Sequence, residues 1–163
     1  MFTGYRFLNG PHILVTDEKG TILDIVAGEA DGDTRQFSGI LMPGHVNTHC
    51  HLELSHLRNR ISPAQGLTRF ISSVMQLPRP EQEERERHMA LADQEMYHKG
   101  IVATGDISND RYSVEQKTKS AIRWYTFLEI INLDDAKAEV QVERYRRMED
   151  EFMQALPPGF VAA

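Results

Sequence analysis

The spacing of apolar positions changes character along this chain. Over the first 40 residues the apolar runs are short and bounded by turn formers, which predicts strands at Tyr5–Leu8, His12–Thr16 and Thr21–Ala27. Asp17-Glu18-Lys19-Gly20 supplies the turn between the last two. A Gly/Asp-rich stretch, Gly28 to Asp33, then leads to the apolar run Gly39-Ile40-Leu41-Met42-Pro43.

After Pro43 strand-like runs alternate with helical periods, the signature of βα units and a mostly parallel sheet. The first strand is read over Ile40–His49. Its helix is expected to start at Ser62 as N-cap, with Pro63 at the first helical position, Gln65 closing a capping box, and Leu67, Phe70, Ile71 and Val74 as the buried stripe. A second helix, Glu81–Lys99, begins acidic and ends on Lys99-Gly100, as the helix dipole and a glycine cap favour. Strand two, Ile101–Ile107, follows. A short helix capped by Ser113, with Gln116 three residues on, leads to strand three, Arg123–Ile130. The last helix is predicted over Asp135–Leu156, with Val140, Tyr145, Met148, Phe152 and Leu156 as its apolar face and Pro157-Pro158-Gly159 as its stop.

Composition narrows the function classes. With 40% apolar residues the chain can bury a core, and 18 basic against 24 acidic residues, a net charge of −6, argue against nucleic acid as a partner. The single cysteine, Cys50, excludes an internal disulfide. No basic-apolar leader opens the sequence and no apolar run approaches the roughly 20 residues of a membrane helix. A cytoplasmic, reduced, membrane-free protein is expected.

His49 and His51 carry the clearest chemistry. Two residues apart at a strand end, their side chains leave the same face, while Cys50 leaves the other. Paired imidazoles suit a divalent ion such as Zn²⁺ or Fe²⁺, and a metal site with an open position activates water. The competing reading is two surface histidines beside a turn.

The stretch from Leu41 to Ser55, with Pro43-Gly44 followed by Asn47-Thr48-His49-Cys50-His51, resembles the signature that opens the barrel in the amidohydrolase superfamily. The run His51-Leu52-Glu53-Leu54-Ser55 is most similar to its chlorohydrolase and deaminase branch. The β-rich opening resembles the N-terminal part of that family's β-sandwich, Gly100 to Asp106 its second barrel strand, and Phe127-Leu128-Glu129 its third. One local departure is His45, where the family has a bulky apolar or aromatic residue; it is read as a packed or partly exposed side chain rather than an extra ligand.

The resemblance implies an α/β fold: a small β-sandwich segment over residues 1–40, then about three βα units of a (β/α)₈ TIM-type barrel over 41–163. A complete barrel takes roughly 250 residues. It implies a metal-dependent hydrolase of non-peptide C–N bonds, a deaminase of an aminated heterocycle or nucleoside-like small molecule, with His49 and His51 as ligands. In the family, further ligands and proton-transfer groups come from later strands, so this chain alone is expected to be nearly inactive. Uncovered sheet edges predict a homo-oligomer or a partner carrying the missing units. The alternative is a truncated, non-catalytic α/β module with residual metal affinity.

Three carboxylates at strand ends are candidate substrate-binding groups. Glu53 either contacts substrate or is a solvated loop residue. Asp106 either supports a metal-ligand imidazole or caps its own loop through an Asx-turn. Glu129, inside an apolar run, either faces the barrel mouth or finds a buried partner. His88 and His98 are read as helix-surface residues. A cytidine-deaminase site is excluded, because His51-Leu52-Glu53 has no Pro-Cys-x-x-Cys to accompany it. No His-Glu-x-x-His, phosphate loop or nucleophile elbow occurs.

Overall fold

The computed structural model describes residues 8, 10–29, 34–132, 134–156 and 161–162. It divides into two units, Met1–Met42 and Pro43–Ala163. In the first, β1 (His12–Thr16) pairs antiparallel with β2 (Ile22–Ala27). Asp17 makes the turn: its Oδ1 accepts the amides of Lys19 at 2.9 Å and Thr21 at 2.7 Å, and Gly20 takes the left-handed conformation, φ 81°. Ile22, Leu23, Ile25 and Val26 all stay exposed. A lone hairpin buries too little to be stable by itself. The strand expected at Tyr5–Leu8 lies, but for Leu8, outside the described residues.

The second unit is built on a parallel sheet in the order β3 (His45–Cys50), β4 (Ile101–Ser108), β5 (Arg123–Leu128), with β6 (Val161–Ala162) continuing it beside β5. The first of these strands is shorter than its sequence predicts. Ile40, Leu41 and Met42 are exposed and outside the ladder, which opens where the His45 amide donates to the Gly100 carbonyl at 2.8 Å. Pro43 has no donor to offer, and Gly44 is required by Val102, whose Cγ1 would stand 2.3 Å from an added Cβ. β6 was not legible in the pattern around Pro157-Pro158.

Between β3 and β4 run α1 (Leu67–Gln76) and α2 (Gln82–His98). The helix start expected at Ser62 is displaced to Gly66. Ala64 sits at φ 61°, which no helical turn accommodates, and Gln65 spends its side-chain amide on the Ser62 carbonyl at 2.6 Å. The stripe of α1 is also not buried: Leu67, Phe70 and Ile71 are exposed, and no residue of this helix is buried. α2 agrees with its signals, from Glu81 as N-cap to Gly100 at φ 82° beyond its end.

α3 (Val114–Lys119) and α4 (Ala138–Ala155) complete the layer, α4 preceded by a single 3₁₀ turn. Ser113 does not cap α3 with its side chain. Its Oγ turns inward to within 3.3 Å of Ser108 Oγ, and Gln116 donates to Asp93 instead. On α4, Tyr145, Met148, Phe152 and Leu156 are buried as predicted, whereas Val140 in the first turn is exposed.

Strand burial alternates along β4 and β5, so one sheet face is covered and the other open. Two apolar clusters lie on the covered side, Leu52 with Met89, Ile122 and Trp124, and Leu128 with the face of α4. Val46, Tyr125 and Phe127 remain exposed. The architecture is therefore α/β, with an open parallel sheet in the second unit and an antiparallel hairpin in the first. No helix among the described residues is long and apolar enough to cross a membrane.

Phe152, fully buried, and Leu67, 73% exposed, separate core from surface. Phe152→Ala should destabilise by about 3–5 kcal/mol and Leu67→Ala by less than about 0.5 kcal/mol. Urea unfolding followed by the fluorescence of the buried Trp124 measures both; equal effects would contradict the packing described.

Candidate metal centre

The site forms where β3 ends. An irregularity in the β3–β4 register between Asn47 and Cys50 carries the strand through its last residues. Asn47 reaches toward Met96 of α2, and Cys50 packs beside the Trp124 cluster. His49 and His51 flank Cys50 on the opposite side. Their ring centroids are 5.2 Å apart, edge to face. His49 is exposed and His51 half-buried.

His51 Nδ1 is buried without a hydrogen-bond partner. A buried imidazole nitrogen left unpaired is costly unless it meets a ligand. Two adjacent rings, one bearing an orphaned nitrogen, fit the donor set for a borderline divalent ion. Among the described residues no group of three His, Cys, Asp or Glu surrounds such an ion. Cys50 packs on the other side of the strand, against the Trp124 cluster, where burial and the neighbouring Asp106 push its thiol up to about 12. His45 lies exposed at the start of β3, away from the pair. His88 and His98 sit on α2, His88 within 3.7 Å of Glu84 and His98 exposed.

The carboxylates expected to meet substrate are each held by the protein. Glu53 is neither solvated nor free. Buried in the 3₁₀ turn Leu52–Leu57, it accepts the amides of Asn109, at 3.1 Å and 3.2 Å to its two oxygens, and of Asp110 at 3.3 Å. Burial, then Asp110, push its pKa up to about 8. Asp106 is fully buried and caps no loop of its own. Its Oδ1 accepts the Leu52 amide at 2.7 Å, and its Oδ2 accepts Lys117 Nζ at 2.6 Å and Ser108 Oγ at 3.0 Å. This enclosure leaves no part of the Asp106 side chain exposed. Glu129 follows β5 on the exposed rim, where its Oε2 and its carbonyl oxygen accept the Asn109 side-chain amide at 3.1 Å and 2.8 Å.

Two residues central to this edge escaped the sequence reading. Asn109 joins Glu53, Glu129 and, through its carbonyl, the hydroxyl of Tyr145 at 3.1 Å. Lys117 is fully buried among Asp106, Ser108 and Thr126, and burial lowers its pKa against the pull of Asp106. The signal for it was the polar alternation Thr104, Asp106, Ser108, which faces a helix layer where apolar side chains are usual. Alongside His51, a groove of about 680 Å³ runs between the 3₁₀ turn and α1, lined by Leu54, Leu57, Ile61, Leu67 and Phe70.

Comparison with models of known protein families finds no match, and comparison with curated proteins finds none either.

His56 gives the edge a pH response. Its Nδ1 donates to the Glu53 carbonyl at 3.1 Å, and burial, helped by Arg60, His88 and Arg85, lowers its pKa below the usual 6.5. The unfolded chain then binds a proton that the folded chain refuses, so the contribution of His56 to stability falls as pH drops below about 6.5, until the lowered folded value is passed, while Glu53, its pKa raised to about 8, contributes in the opposite sense over the same range. Urea midpoints between about pH 7 and 5 check this. His56→Gln should remove the falling component, so the variant gains on the wild type as pH drops; a constant difference between the two would remove His56 as its source.

Proposed function

We propose that this chain supplies the opening metal-binding segment of a metal-dependent hydrolase of the amidohydrolase type, acting on non-peptide C–N bonds. Its substrate is a small aminated heterocycle or nucleoside-like molecule, and the reaction a deamination. In this reading β3, β4 and β5 are the first strands of a TIM-type barrel, and the hairpin β1–β2 belongs to a β-sandwich.

The observation that carries the proposal is the pairing of the His49 and His51 rings, 5.2 Å apart at the C-terminal end of a parallel strand. Active sites of parallel α/β folds lie at that end. The orphaned His51 Nδ1 adds to it. A bound zinc or iron ion supplies Lewis acidity and makes water a nucleophile near neutral pH. His49 and His51 hold it, and neither moves a proton. Glu129, on the rim with part of its carboxylate exposed, is the carboxylate suited to a substrate amine; Glu53 and Asp106 orient the turn that follows His51. Leu54, Leu57 and Phe70 offer the flat part of the substrate an apolar wall.

A second reading is favoured by the ligand count. Only two candidate ligands converge among the described residues, which also describes a non-catalytic α/β module with residual metal affinity. Its exposed Val46, Tyr125 and Phe127 suit association with another copy or a partner.

Elemental analysis after zinc loading tests the ligand assignment. Near-stoichiometric zinc that is lost in both His49→Ala and His51→Ala, and retained in His45→Ala, is expected; wild-type protein that takes up no zinc would overturn the proposal. Ammonia release from aminopurines and adenine nucleosides separates the two readings. With two ligands turnover should be slow, but the enzyme reading requires it to depend on His49.

A further inference from the structure

We infer that Asp106, the buried partner of Lys117, is the positioning residue for His51: the oxygen it presents to the Leu52 amide is a latch that holds the metal pair in its converged arrangement. The inference rests on the reading of His49 and His51 as ligands. His51 has no hydrogen bond through its own buried Nδ1, so its ring is oriented by the backbone on either side of it. On the N-terminal side Cys50 is paired in the ladder with Asp106. On the C-terminal side the next amide, Leu52 N–H, donates to the same Asp106 at 2.7 Å. Asp106 thus grips the chain both before and after His51, across 54 residues of sequence.

A carboxylate enclosed this completely needs a counter-charge, and Lys117 provides it at 2.6 Å, with both side chains 0% exposed. The lysine is itself fixed from two strands, by Ser108 Oγ of β4 at 3.1 Å and Thr126 Oγ1 of β5 at 3.0 Å. α3 is therefore tied through β4 and β5 to the one amide that follows the metal ligand. A buried ion pair contributes little net stability over an apolar pair of the same shape, and its best-attested use is to select one geometry. Here the geometry selected is the turn out of β3. Glu53 closes a parallel link, from the residue after Leu52 to the amides of Asn109 and Asp110. Groups that orient metal ligands from behind typically change metal affinity by about 10- to 100-fold when lost.

The test compares two double variants of the full chain. Asp106→Asn with Lys117→Met removes both charges but keeps an oxygen for the Leu52 amide. Asp106→Leu with Lys117→Met keeps the packing and removes that oxygen. Zinc affinity, from competition with a chromophoric chelator, should stay at the wild-type level in the first and fall about 10- to 100-fold in the second, with circular dichroism confirming that both are folded. Equal affinities in the two folded variants would overturn the latch. Should the leucine variant fail to fold, hydrogen exchange of the wild-type Leu52 amide decides. Protection matching the β4 core amides supports the latch, and exchange as fast as the exposed loop near Ser62 refutes it. Failure of the ligand reading looks different. Wild-type protein that binds no zinc sinks that reading, while the proton contact between the His49 and His51 rings, present in the wild type and lost in the leucine variant, still reports positioning. Persistence of that contact in the leucine variant would refute it.

Discussion

The ion pair between Asp106 and Lys117 lies at the centre of the covered sheet face, and the arrangement of the second unit follows from satisfying it. Thr104, Asp106, Ser108 and Thr126 are all buried there, on a face that would ordinarily be apolar. Each buried polar group costs free energy unless bonded, and cooperative networks reduce that cost where single bonds do not. Lys117 bonds or pairs with three of the four. The network also separates the two apolar clusters, Trp124 with Leu52 and Met89 on one side, Leu128 with Phe152 on the other. Neither cluster extends through the centre of the layer. The orientation of α3 is thus specified by polar geometry, which is directional, more than by apolar contact, which is not.

The same logic runs along the C-terminal edge of the sheet. Carboxylates that might have been hooks for a ligand act mostly as struts, with Glu53 and Asp106 each tying the turn after His51 to the end of β4. Asn109 then links that corner to Glu129 and to Tyr145 of α4. Among the described residues, the buried Nδ1 of His51 has no partner at this edge. On the proposed reading this matters because ligands already in place lose little freedom on binding.

Large apolar surfaces stay uncovered in both units. The stripe of α1, the open sheet face at Val46, Tyr125 and Phe127, and the hairpin residues Ile22 to Val26 are each more exposed than a free surface favours. The groove beside the 3₁₀ turn is different in kind, since the His51 ring borders it.

Periodicity and cap signals determined the order of the helices and strands from β3 to α4, the ends of α2, the core of β4 and β5, and most of the buried face of α4, because burial at a fixed repeat and capping are local properties of the sequence. The same alternation put His49 and His51 on one side and Cys50 on the other. It misread the start of β3, the start of α1 and the burial of its stripe, where a left-handed Ala64, a donorless Pro43 and the absence of a packing partner overrode local signals. The surroundings of Glu53 and Asp106 were not legible for a deeper reason. A carboxylate at a strand end looks alike in sequence whether it faces solvent or a lysine. Only the tertiary structure brings Lys117 and Leu52 to Asp106, and Asn109 to Glu53 and Glu129, since those bonds join residues far apart in the chain whose pairing depends on strand register and helix rotation. His49 and His51 were legible from their spacing; what holds His51 in place was decided by the fold.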